Sequence, residues 1–222
     1  ELTINHLGMV NIAKQMIKAS KAAGADLVKL KRKNVKKYYS DDMPDWRNFP
    51  FKDYRHSLEL SHDGFVELDA YCKEVGIRWF STVHDVESLT AVRKFDPPKY
   101  KVASSDVGRD NLIDTVLAVC QEENKEFVVS VGGRDLNFIK RLVGRINKAK
   151  VKTDLLHTVS IYPTPDGQSN ITFLKLLKET FESDDSFVRV GYSGHERGIA
   201  ASLLAGIWGA SMIERHFTLS RD

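Results

Sequence analysis

Short apolar runs of four or five residues alternate with amphipathic stretches along the whole chain, and this alternation restricts the fold more than any other feature. Strands are expected over residues 1–4, 26–30, 78–82, 100–103, 126–130, 154–157, 188–191 and 212–214. Between them the 3.6-residue period predicts helices: one on Met9, Ile12, Ala13, Met16 and Ile17 that Gly24 stops, one over 63–75 that ends at Gly76, and others near 86–95, 109–122, 135–148, 169–182 and 197–208. Strict alternation of such short strands with helices favours a parallel sheet. Eight units favour its closure, so the expectation is an α/β protein with a (β/α)8 TIM barrel that stops just after strand eight. The segment 31–61, rich in Lys, Tyr, Asp and Pro, is too long for an ordinary βα connection and reads as a functional loop with a small substructure.

The 222 residues and 42% hydrophobic content suit one such core. No GxGxxG or GxxxxGK[ST] follows any strand, which argues against a nucleotide-binding sheet. A net charge of +3 is too small to call for nucleic acid, and the basic run from Lys31 to Lys37 lacks interleaved aromatic residues, so it reads as a solvated loop. Cys72 and Cys120 fall on predicted helices without metal-ligand spacing and read as buried thiols in a reducing compartment. No apolar run is long enough to span a membrane, so the expectation is a soluble cytoplasmic protein without a membrane partner.

In a barrel the chemistry sits at the carboxyl ends of the strands. There the chain places Glu1, Asn5 and His6, then Lys29 and Lys31, then Ser81 and Thr82. Lys101, Ser104 and Ser105 follow, with Ser130, then His157, Ser160 and Tyr162, then Ser193 and His195, and finally Glu214 and His216. Lysines inside apolar runs, as in Leu27-Val-Lys29-Leu and Tyr100-Lys101-Val, are costly to bury unless an anion or a carboxylate pairs with them. Lysines and hydroxyls at one mouth therefore point to a phosphate or carboxylate ligand. A structural network, with Lys29 paired to Glu1 or Glu214, remains the alternative. The spacing of His195 and His216 leaves a metal pair open, and Glu196 and Arg197 can be read as serving only the first turn of a helix.

Seven stretches resemble the sialic acid synthase family, which includes the synthases of legionaminic, pseudaminic and spore-coat nonulosonic acids. They are Glu1-Leu-Thr-Ile-Asn5-His6-Leu-Gly8, Ala23-Gly-Ala-Asp-Leu-Val-Lys29, Phe80-Ser-Thr82, Tyr100-Lys-Val-Ala-Ser104, Ser160-Ile-Tyr-Pro-Thr-Pro165, Gly191-Tyr-Ser-Gly-His195 and Gly209-Ala-Ser-Met-Ile-Glu-Arg-His-Phe-Thr218, in the family order. The resemblance implies a synthase barrel over 1–222 that condenses phosphoenolpyruvate with an N-acylated amino sugar such as N-acetylmannosamine and releases phosphate. It implies a divalent ion, manganese or magnesium, on His195 and His216. Lys29, Thr82, Lys101, Ser104, Ser130, Ser160 and Ser193 match positions that hold phosphoenolpyruvate, and Glu1, Tyr162 and Glu214 match positions near the sugar and a metal-bound water.

The chain departs from the family pattern in several places. The family often has Asn at Ser160, Gln at Lys31, Asp-His-Thr at Gly194-His195-Glu196 and Ser-Thr-Gly at Ser130-Val-Gly132. Lys31, Arg32 and the loop to Ser61 point to a sugar other than that of the plain N-acetylneuraminate enzyme. The family's last barrel helix and antifreeze-like C-terminal domain have no counterpart before Asp222, so the sequence reads as part of a longer protein expected to form a homodimer. The alternatives are another barrel metalloenzyme, an aldolase or isomerase, and a catalytically silent barrel that binds an anionic sugar.

Overall fold

The computed structural model describes residues 1–39, 50–165 and 167–220. The chain divides into two compact units, Glu1–Pro98 with the end of the chain from Phe217, and Lys99–His216.

In the first unit, α1 (Val10–Ala22) buries Ala13, Met16, Ile17 and Ser20, positions three and four residues apart that define one face of a helix. Gly24 follows it at φ +86°, a backbone conformation in which a side chain is strained. Strand β1 (Leu27–Arg32) leads through Asn34, whose side chain caps the short α2 (Val35–Tyr38), to α3 (Phe51–Ser57). These two helices are the described substructure of the long 31–61 segment, and residues 40–49 lie outside the described residues. Helix α4 (His62–Val75) starts at the Ser61 cap, which accepts a hydrogen bond from the Gly64 amide, and stops at Gly76 in the left-handed region. Strand β2 (Arg78–Val83) pairs in parallel with β1, Lys29 opposite Phe80 and Lys31 opposite Thr82. Asp85 then caps α5 (Val86–Arg93) and also accepts from the Asn34 amide, which ties the two strand exits together.

The first expected strand does not form. Glu1 and Leu2 run beside β1 with one backbone bond, Leu2 N to Lys29 O at 3.0 Å, and residues 3–8 turn away with Thr3 and Leu7 at positive φ. The described residues therefore contain seven strands where eight were expected. The start of the chain is held instead through Phe217, whose amide donates to Glu1 O while the Asn5 side chain donates to Phe217 O.

The second unit repeats strand and helix without interruption: β3 (Lys99–Val102), α6 (Asp110–Glu123), β4 (Glu126–Ser130), α7 (Leu136–Ala149), β5 (Thr153–Thr158), α8 (Thr172–Phe181), β6 (Val188–Gly194), α9 (Ala200–Ile207) and β7 (Ile213–Arg215). Each strand pairs in parallel with the next. Helix α7 shows why: Asp135 caps it, and Ile139, Leu142, Val143 and Ile146 form its buried stripe. Burying each such side chain contributes on the order of 1.5–3 kcal/mol. At the amino ends of the strands Asp154, 1% exposed, pairs with Lys99 at 2.9 Å and Arg189 at 3.1 Å and accepts from Ser211 Oγ. This network leaves the carboxyl ends to other chemistry. Among the described residues no helix is long and apolar enough to cross a membrane.

His157 pins α8 onto the sheet. Its ring packs against Phe173 and Tyr192, and its Nε2 donates to Ser169 O at 2.9 Å. Burial holds its pKa below the ordinary 6.5 despite the backbone hydrogen bonds that raise it. A depressed folded-state value means that protons favour the unfolded chain, so this contribution is complete above the unfolded value and is lost as pH falls through the folded one. The buried His6 acts in the same direction. Urea midpoints measured at pH 8, 6.5 and 5 are expected to fall with pH in the wild type and to fall less in His157→Phe; equal slopes would show that His157 is not held neutral.

Candidate active site

β3, β6 and β7 of the second unit place a lysine, a hydroxyl and a carboxylate within hydrogen-bond reach. Lys101 is buried in β3 and its Nζ lies 2.5 Å from Glu214 Oε1, with side-chain exposures of 3% and 6%. Ser193 Oγ donates to the same oxygen at 3.0 Å, as the opposition of Ser193 and Glu214 in the β6–β7 ladder requires. The expectation that a strand-buried lysine takes a carboxylate partner is met. The partner of Lys101 is one of the acids singled out from the sequence.

Just beyond this network two rings meet. His195 follows β6, His216 follows β7, and their ring centroids are 5.3 Å apart. His195 Nδ1 lies 2.7 Å from Val159 O. A carbonyl can only accept, so Nδ1 carries the proton and Nε2 is the lone-pair nitrogen of the neutral ring. Tyr162 packs against His195 with ring centroids 4.0 Å apart, tilted by 37°, and meets His216 edge-on at 5.6 Å. The Thr164 amide donates to His195 O at 3.0 Å, which holds the β5–α8 loop against the β6–α9 loop. Two imidazoles side by side, one of them oriented by a backbone carbonyl, suit a divalent cation that completes its shell with water and substrate oxygens. Among the described residues no group of three or more His, Cys, Asp or Glu is placed to hold a metal.

The remaining predicted hydroxyls of this unit gather around Gly132. Its amide donates to Ser104 Oγ at 3.0 Å, and a Cβ on Gly132 would lie 2.6 Å from Ser160 Oγ and 3.0 Å from Ser104 Oγ. Only glycine fits there. Ser130 Oγ, at the end of β4, is buried with no hydrogen-bond partner. Ser160 also lines a cavity of about 790 Å³ with Arg134, His157, Phe173 and Leu176.

In the first unit Glu1 receives two cations: Lys29 Nζ at 2.6 Å, both side chains 3% exposed, and Lys31 Nζ at 2.8 Å, 23% exposed. Thr82 Oγ1, at the carboxyl end of β2, is buried without a hydrogen-bond partner. Unsatisfied buried hydroxyls are rare in native proteins and cost about 1–3 kcal/mol each. Thr82 and Ser130 are both residues matched to a ligand from the sequence.

Sequence reasoning missed how residues 196 and 215 are used. Glu196 does not serve the first turn of α9, which begins four residues later at Ala200. Its carboxylate pairs with Arg215 and accepts from Tyr192 OH at 2.8 Å and Ser202 Oγ at 3.1 Å. Burial pushes this carboxyl up, but its own backbone amide, Tyr192, Arg215 and Ser202 outweigh that and hold it below the usual carboxylate range. The Tyr192 hydroxyl is pushed up by burial and by Glu196. The adjacency of Arg215 to His216 was the only signal available in the sequence.

Comparison with known proteins adds an independent line. The family model described as NeuB family matches residues 16–222. An uncharacterised protein of Methanocaldococcus jannaschii is 32% identical over 99% of this chain and 61% of its own length. The N-acetylneuraminate-9-phosphate synthase of Drosophila melanogaster is 30% identical over 100% of this chain and 60% of its own. The chain thus spans about three fifths of the length of these relatives. Among solved structures, the N-acetylneuraminic acid synthetase of Leptospira borgpetersenii, crystallised with citrate, has a TM-score of 0.84 at 27% identity, covering 99% of this chain and 72% of that one.

The Lys101–Glu214 pair makes a prediction. Lys101→Met should leave a carboxylate buried beside Ser193 and lower stability by about 3 kcal/mol in urea unfolding, with most of the loss recovered in Lys101→Met/Glu214→Gln. Additive losses in the double variant would show that the two charges do not compensate each other.

Proposed function

The chain belongs to the NeuB family, and on that premise we propose that it condenses phosphoenolpyruvate with the aldehyde of an N-acylated amino sugar, giving a nine-carbon 2-keto acid and inorganic phosphate. The observation that carries this reading is that the ends of β6 and β7 carry both the His195–His216–Tyr162 ring cluster and, two residues earlier on each strand, Ser193 and Glu214 of the buried network with Lys101. One part suits a sugar oxygen, the other a compact anion.

In this reading C3 of the enol attacks the aldehyde carbon, water adds at C2, and the C2–O bond to phosphate breaks. Negative charge on the carboxylate and phosphate calls for cations and hydroxyl donors. Lys101, Ser104, Ser130, Ser160 and Ser193 of the second unit are assigned to phosphoenolpyruvate, as are Lys29 and Thr82 of the first. The unpartnered hydroxyls of Ser130 and Thr82 support that assignment, because a ligand oxygen would satisfy each. An incoming phosphate or carboxylate oxygen competes with Glu214 for Lys101, and the displaced carboxylate can then accept a proton from water or a sugar hydroxyl. Glu1, held by two lysines, is assigned to the sugar side with Tyr162, whose 64% exposed ring offers an apolar face to a sugar. His195 and His216 would hold manganese or magnesium. When bound, the ion polarises the sugar aldehyde as a Lewis acid.

The names of the relatives support the substrate class: one is an N-acetylneuraminate-9-phosphate synthase, and the solved structure is an N-acetylneuraminic acid synthetase. Lys31 stands where the family often has Gln, so the choice of sugar is tested with a panel. With phosphoenolpyruvate and manganese, phosphate release should depend on one member of a panel of N-acylated hexosamines. It should fall at least roughly a hundredfold in His195→Ala and in His216→Ala, the several kcal/mol that a lost Lewis acid represents. Release with no sugar of the panel, from folded protein that binds manganese, would favour the silent barrel or another metalloenzyme.

A further inference from the structure

The residue after one candidate metal-binding histidine and the residue before the other are joined to each other. Arg215 Nη1 pairs with Glu196 Oε1 and donates to Ser202 Oγ at 2.9 Å, while Nη2 donates to Glu196 O at 2.6 Å and Gly198 O at 2.9 Å. The other carboxylate oxygen of Glu196 accepts from Tyr192 OH, a residue of β6 itself. The arginine therefore grips both the side chain and the backbone of the turn that carries His195. Its own backbone carries His216. The Glu196 side chain is 8% exposed and that of Arg215 31%, so the carboxylate end of the grip is shielded from water.

We propose that Glu196 and Arg215 are positioning residues that fix the separation of His195 and His216 and thereby set the affinity for a divalent cation, an inference that rests on the metal-dependent reading above. A guanidinium with two donors on one backbone and one side chain is a rigid fork, and moving either end shifts a histidine one bond away. The clamp also accounts for a departure from the family pattern. A Cβ at Gly194 would lie 2.6 Å from Glu196 Oε2, 2.8 Å from Arg215 Nη1 and 2.8 Å from Tyr192 Cε1. With the clamp in place, position 194 cannot carry a side chain. The order Gly194-His195-Glu196, against Asp-His-Thr, is thus one coupled choice of where the carboxylate stands.

The test is manganese affinity, read from the free-ion electron paramagnetic resonance signal, alongside thermal unfolding. Glu196→Gln and Arg215→Met should weaken manganese binding about tenfold or more, Arg215→Lys less, and Gly194→Ala in the same direction by crowding the carboxylate. Arg189→Met, which breaks ion pairs with Glu126 and Asp154 at the other end of β6, should cost stability without changing the affinity. Wild-type affinity in any folded clamp variant, the conservative Glu196→Gln above all, would overturn the proposal while leaving the metal reading intact. Absence of saturable manganese binding in the wild type, or undiminished binding in His195→Ala/His216→Ala, would overturn the metal reading and the clamp with it.

Discussion

A lysine buried inside a β-strand has to be matched by negative charge, and each unit of this chain contains one such lysine. Lys29 in β1 meets Glu1, and Lys101 in β3 meets Glu214. Neither arrangement is an economical way to stabilise a fold, because a buried ion pair rarely outperforms apolar side chains of the same volume. The strands around these lysines are otherwise filled with apolar residues such as Val28, Leu30, Tyr100 and Val102, so a leucine or methionine would have been available. What an apolar residue cannot do is exchange its partner for a ligand anion. In the proposed reaction the pairs are a resting state: the glutamates hold the charges while no ligand does, and the desolvation of the lysines is already complete when an anion arrives.

The histidines obey a different constraint, that of orientation. An imidazole is oriented for a cation at one nitrogen by what the other nitrogen engages, and for His195 the engaged group is a backbone carbonyl, Val159 O, from the neighbouring β5–α8 loop. That loop is in turn tied back by the Thr164 amide on His195 O. The histidine is thus fixed through its main chain and its side chain by the same short segment, which also supplies Tyr162. Rigid placement of this kind is what a weakly held hard cation requires, since two neutral nitrogens alone bind such an ion loosely and any rotational freedom would weaken it further.

How far this was legible in the sequence follows from which forces are local. Helices such as α4 and α7 announce themselves by a cap, a 3.6-residue stripe and a stop, all within about fifteen residues of one another. Pairing of the buried lysines with acids could be anticipated from cost alone, and Glu1 and Glu214 were among the acids on hand. The first strand was misread because Leu2 and Ile4 look like strand residues, whereas the turns at Thr3 and Leu7 are imposed from afar by Phe217 and Lys29. Glu196 was misread for the same reason. A carboxylate just ahead of an Ala-rich helix resembles a first-turn residue, and nothing within reach of it in sequence reveals that Arg215, nineteen residues on, takes both its side chain and its carbonyl.

Glu1 is shared between Lys29 and Lys31, so these three groups sum to one excess positive charge, whereas Lys101 and Glu214 cancel. Had position 31 been Gln, as it often is in the family, the β1 cluster would cancel as well. Lys29 lies deep at 3% exposure and Lys31 nearer the solvent at 23%, so the surplus is presented outward. A cation there is held in place by Glu1 and does not have to be ordered when a ligand binds, which removes the side-chain entropy that a free lysine would lose. In the proposed reaction the surplus favours a sugar that carries more negative charge, or more acceptor oxygens, than a simple N-acylated hexosamine. Lys31 and the burial of Lys29 are thus coupled, because both depend on one carboxylate.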